Sequence, residues 1–127
     1  FLLDCSSKLN EVAVAQNEFR KIAIQEAREG ISHGEGGPFG TAIVKDGILV
    51  ASGHNRVLAH QDPTCHGEVD AIRRACQRLG TFDLSGCELY TTGEPCHMCL
   101  CACMWANISR ILWLHHSGQR DDRIPRQ

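Results

Sequence analysis

Two short stretches of the chain could do chemistry together: His66-Gly67-Glu68 and, some thirty residues on, Pro95-Cys96-His97-Met98-Cys99. A zinc ion that does chemistry commonly takes three protein ligands and leaves its fourth tetrahedral position to water. The imidazole of His66 and the thiolates of Cys96 and Cys99 make such a set, for one Zn2+ per chain. The Cys-x-x-Cys spacing suits two thiolates on the first turn of a helix, both within reach of one metal. Glu68 follows the histidine by two residues, which sets a carboxylate beside the open position. There it can move protons without binding the metal.

Such ligands need rigid elements to present them. Asn17 reads as an N-cap, with Phe19, Ile22, Ala23 and Ala27 at helical spacing and Gly30 as the stop. Thr41–Lys45 and Ile48–Ser52 read as strands joined by Asp46-Gly47, a hairpin signal whose two positions favour positive φ. Val57–Cys65 reads as a loop with Thr64 near the next helix cap. Val69, Ile72, Arg73, Cys76 and Leu79 then form a helical stripe that ends at Gly80. Cys87–Thr92 reads as a third strand, and Gly93-Glu94-Pro95 as a turn into a helix with proline near its first position. Ile108–Leu114 reads as a fourth strand. Two helices thus deliver ligands from their N-termini, where the partial positive charge favours thiolate.

The wider pattern resembles the cytidine deaminase-like superfamily, in its purine branch of guanine deaminases and tRNA adenosine deaminases. The residues that carry the likeness are Gly36-Gly37-Pro38-Phe39-Gly40, Asn55, Asp62-Pro63-Thr64-Cys65-His66-Gly67-Glu68, Glu94-Pro95-Cys96-His97-Met98-Cys99 and Trp105. The order H-x-E…P-C-x-x-C is the signature of zinc nucleobase deaminases. The likeness runs from about Phe19 to Ile111. It implies an α/β fold, a three-layer αβα sandwich whose mixed central sheet has the zinc-ligand helices packed against it. It also implies Glu68 as the catalytic proton carrier, a small-molecule purine substrate and a homodimer. Asn55, Phe39, Gly67 and Trp105 become substrate contacts on the same ground. From the residues alone, a turn asparagine is the lesser reading of Asn55, while Phe39 and Trp105 are equally core residues.

Guanine deamination to xanthine and ammonia is the leading expectation. The rivals are a tRNA adenosine deaminase, a structural zinc module, and a deaminase fold that keeps zinc but has lost turnover. A tRNA-binding rival calls for a basic surface, and the formal net charge is −2. Eight cysteines would suit a disulfide scaffold, yet the helix and strand patterns are too regular for one, and a reducing, cytoplasmic setting is expected. No apolar run approaches the roughly 20 residues of a membrane span. Cys101 and Cys103 are expected to be small buried helix residues; Cys103 is the one placed to compete as a fourth sulfur. His33, His54 and His60 are expected in loops or at the surface, and His97 exposed.

Both ends fall outside the pattern. Residues 1–16 read as a loose lead-in, 17–114 as the deaminase domain and 115–127 as an atypical tail. A one-base shift in a permitted coding of Leu112–His116 spells Tyr-Gly-Cys-Thr-Ile, the run that the resembled family carries there. The expectation is a frameshift just after Ile111, with a scrambled or disordered tail.

Overall fold

The computed structural model describes residues 2–114, with side chains from residue 16 onward. The tail expectation for 115–127 lies outside these residues. The chain order is α1 (Leu2–Ser32), β1 (Gly40–Lys45), β2 (Ile48–His54), α2 (Val57–His60), α3 (Gly67–Leu79), β3 (Cys87–Thr91), α4 (His97–Trp105) and β4 (Arg110–Trp113). Several boundaries differ from expectation. The first helix runs from Leu2 to Ser32, so Asn17 and Gly30 are both interior to it, and the bare Cα of Gly30 lets the His54 ring lie against it. The cap of α3 is His66, because Thr64 instead turns back to bond the Asp62 carboxylate through both its amide and its hydroxyl. A short helix, α2, interrupts the expected loop, with the Glu35 carbonyl accepting from the amides of Leu58 and Ala59.

The four strands form one sheet in the order β2-β1-β3-β4. The β1–β2 hairpin turns through Asp46 (φ 51°) and Gly47 (φ 75°), the twin positive φ values that its sequence favours. β1 pairs antiparallel with β3, and β3 pairs parallel with β4 after a crossover through α4.

The period of two along the strands sorts side chains between two faces. Ala42, Val44 and Tyr90 pack with Phe19 and Ile22 of α1. Ile43 and Leu89 face the other way and join Ala71, Ala75, Cys103 and Ala106 from α3 and α4. Helices therefore cover both faces of a mixed sheet, as the three-layer expectation has it. On the α3 face, Thr41 and Thr91 stand opposite each other, in step with Ile43 and Leu89. This places two hydroxyls under the start of α3.

Candidate metal centre

α3 and α4 begin in the same way. Their N-cap residues, His66 and Cys96, are both extended (φ −69°, ψ 162° and φ −68°, ψ 169°), and neither side chain caps its own helix. Their carbonyls start the helices instead, accepting from the amides of Asp70 and Leu100 at 2.9 Å each. Both side chains are thereby free to leave the helix and turn toward each other. Cys96 stands one position earlier than expected, at the cap rather than within the first turn, and Cys99 supplies the third donor from inside it.

Among the described residues one group of metal-binding side chains comes together: His66, Cys96 and Cys99, with donor atoms all within 4.8 Å of one another. His66 Nδ1 lies 3.5 Å from Cys96 Sγ and 3.4 Å from Cys99 Sγ. Ligands held at about 2.0–2.3 Å around a tetrahedral zinc stand roughly 3.5 Å apart, so the donor set fits that ion. Burial pushes the Cys99 thiol far above its ordinary range; the Glu68 charge, a hydrogen bond with Glu68 and the neighbouring Cys96 add to this. A divalent cation would reverse that balance by stabilising the thiolate.

Glu68 is fully buried at the first turn of α3. Thr91 Oγ1 donates to its Oε1 at 3.0 Å, and Thr41 Oγ1 lies 3.5 Å from Thr91 Oγ1. Sequence reasoning missed this threonine pair. The available signal was a threonine at strand positions in step with the apolar residues Ile43 and Leu89, on the face toward α3.

Three expected substrate contacts gather next to this group. Phe39 accepts the Asn55 amide hydrogen at its carbonyl, and a Cβ on Gly67 would lie 3.2 Å from that same oxygen. The Phe39 ring lies beside Gly37 and Gly93. Asn55 is 1% exposed; its Oδ1 accepts from the Val57 amide, while its Nδ2 has no hydrogen-bond partner among the described residues. Trp105 is not gathered there: it ends α4 at 85% exposure, so it is not a core residue either.

Other cysteine and histidine expectations divide. Cys103 is buried and lies outside the metal group, and its thiol is pushed up to about 12 by burial and then by the Glu68 charge. Cys101 is exposed, not buried as expected, because the face of α4 that meets the sheet carries Cys99 and Cys103. The seven cysteines whose side chains are described are all free. His97 is exposed as expected. His54 overturns its expectation: it is buried, 3% exposed, because a carboxylate meets each of its ring nitrogens.

Residues 14–115 match the model of the cytidine and deoxycytidylate deaminase zinc-binding region. The chain is 50% identical over 95 residues to the guanine deaminase of Bacillus subtilis, covering 75% of this chain and 61% of that protein. It is 44% identical over 95 residues to the tRNA-specific adenosine deaminase of Aquifex aeolicus, covering 75% and 62%. The crystal structure of the B. subtilis guanine deaminase superposes with a TM-score of 0.75 at 49% identity, covering 77% of this chain and 62% of that one. The chain thus spans about three-fifths of the length of these relatives. No helix among the described residues is long and apolar enough to cross a membrane. With its ligand set gathered at two helix starts and the family model matched over 102 of 127 residues (14 to 115), this chain belongs to the zinc-binding cytidine and deoxycytidylate deaminase family.

Proposed function

We propose that this chain catalyses the hydrolytic deamination of a purine base, guanine to xanthine and ammonia. The observation that carries the reading is the buried carboxylate of Glu68, held by Thr91 at the edge of the His66, Cys96 and Cys99 donor set. A structural zinc site has no use for such a group. When bound, zinc supplies a Lewis acid that lowers the pKa of a water to about 7. Glu68 then takes the water proton and carries it to a ring nitrogen of the base as oxygen adds to the amino-bearing carbon. A second proton, delivered to the amine, lets ammonia leave. Asn55 offers its Nδ2 hydrogens to the base, the Phe39 ring walls the pocket, and Gly67 keeps the helix start open to it. Trp105 could touch substrate only from the surface of α4, which makes it the weakest of the proposed contacts.

Guanine is favoured over a tRNA adenosine by the higher identity to a guanine deaminase and, more weakly, by the net charge of −2, which gives no reason to expect an RNA-facing surface. The same reading takes the protein to be a cytoplasmic homodimer. Ammonia release should be assayed on guanine, guanosine, adenine, cytosine and cytidine, with inosine formation in a tRNA anticodon stem-loop as the competing reaction. Glu68→Gln is expected to keep one zinc per chain and lose turnover by about a thousandfold or more. Near-full activity in that variant would refute the role of Glu68. Zinc retention with no turnover of any base by the unaltered chain would favour the fold that has lost its activity.

A further inference from the structure

His54 is the one buried histidine among the described residues that lies outside the metal group. Its Nδ1 lies 2.6 Å from Glu26 Oε2 on α1, and its Nε2 lies 3.2 Å from Glu35 Oε1 in the loop after α1. A carboxylate oxygen therefore faces each of its ring nitrogens. Glu35 also accepts from Arg56 Nη1 at 2.5 Å through its other oxygen. Asp70, on α3 two residues after Glu68, accepts from the His54 amide at 3.2 Å and from Arg56 Nε at 3.0 Å. The residues on either side of Asn55 are therefore gripped by the same two carboxylates. Asn55 itself has no ion pair, and its buried Nδ2 has no hydrogen-bond partner among the described residues. The backbone is held equally close: a Cβ on Gly36 would fall 2.1 Å from Asn55 Oδ1.

We propose that His54, with Glu35 and Asp70, is a positioning clamp that fixes the Asn55 amide for base recognition and locks it in register with the Glu68 turn. This rests on the reading of Asn55 as a base contact. The geometry favours it over a purely structural role because the clamp converges on one tripeptide from three elements. α1 reaches it through Glu26, the following loop through Glu35 and α3 through Asp70. Removing the clamp should leave the donor set intact and let Asn55 swing. Base affinity then falls while proton transfer at Glu68 is largely spared.

A double-mutant cycle tests this on the zinc-loaded chain. Steady-state kinetics with guanine are paired with calorimetric binding of hypoxanthine, which lacks the reactive amine. His54→Asn and Asn55→Ala are each expected to weaken binding and raise KM about tenfold, with kcat changed less than about threefold and one zinc per chain retained. The double variant should be no weaker than Asn55→Ala alone, because the clamp acts only through that side chain. Additive losses, or an unchanged KM in a zinc-loaded His54→Asn, would overturn the clamp and leave the deaminase reading standing. If His54→Asn does not fold, the isosteric Glu35→Gln takes its place in the same cycle, with the same two outcomes. An unaltered chain that neither binds nor turns over a purine would overturn both readings.

Discussion

At the scale of single residues, the site depends on how a buried carboxylate is kept in place. Glu68 has a charge-assisted hydrogen bond from Thr91, and bonds of that kind contribute about 1.5–3 kcal/mol. Thr91→Val keeps the shape and deletes the donor, so kcat is expected to fall about 10- to 100-fold with zinc retained. Steady-state kinetics with metal analysis would show this, and an unchanged kcat would mean that the hydroxyl does not steer Glu68. Glu35 makes a separate prediction. Burial pulls its carboxyl upward, but the hydrogen bond from His54 and the charges of Arg56 and His54 outweigh that and hold it below its ordinary 4.5. A depressed folded-state pKa stabilises above the unfolded value and loses that contribution as pH falls through the lowered one. Wild type should therefore exceed Glu35→Gln in urea stability near neutral pH, with the gap closing below about pH 4.5. A gap that stays constant down to about pH 3 would show that the Glu35 ion pairs do not stabilise the fold.

At the scale of elements, the clearest constraint is the seat of α1 on β1. A Cβ on Gly40 would lie 1.9 Å from the Ala23 carbonyl oxygen and 2.6 Å from the Ala27 nitrogen. Both are backbone atoms, so no rotamer change could relieve the clash. Gly40→Ala is expected to cost about 3 kcal/mol or more and to lower Tm by more than about 10 °C. A calorimetric shift of only a few degrees would mean that α1 can move off the sheet. This close approach was not legible in the sequence, where Gly40 reads only as the end of a glycine-rich run. What was legible came from local signals: the Asp46-Gly47 turn, the stripe of α3 with Gly80 behind it, and the paired metal motifs. The helix ends were less so. Asn17 has the chemistry of a cap, yet nothing local stops the helix from continuing upstream of it. Thr64 has cap chemistry too, but Asp62 competes for its amide and hydroxyl. His54 misled for a different reason. Its two carboxylate partners are 28 and 19 residues away, a separation that no local pattern records.

At the scale of the whole molecule, the metal joins two helices that the sheet positions independently. α3 and α4 both pack into the core beneath them, through Ala71 and Ala75 on one and Cys103 and the C-cap Ala106 on the other. Their N-termini meet at the donor set of His66, Cys96 and Cys99. Removing zinc should therefore loosen the two helix starts and leave the core in place. Binding that is specific to the folded state stabilises by about 4 kcal/mol at a thousandfold excess over Kd, so a chelator is expected to lower Tm measurably without unfolding the chain. Iodoacetamide labelling read by peptide mass would separate the two regions. With zinc bound, Cys101 should react first among the seven described cysteines, being exposed where the others are half-buried or buried. After chelation, half-buried Cys96 should become reactive, with Cys99 following as the first turn of α4 opens. Cys103 lies one turn further along the same helix, sealed in the core with its thiol pushed up to about 12, and should stay unlabelled throughout. Labelling of Cys103 together with Cys96 would show that zinc holds the whole of α4 and that the sheet contacts alone do not. Protection of Cys96 after the metal has been removed would show that the donor set is locked without the ion.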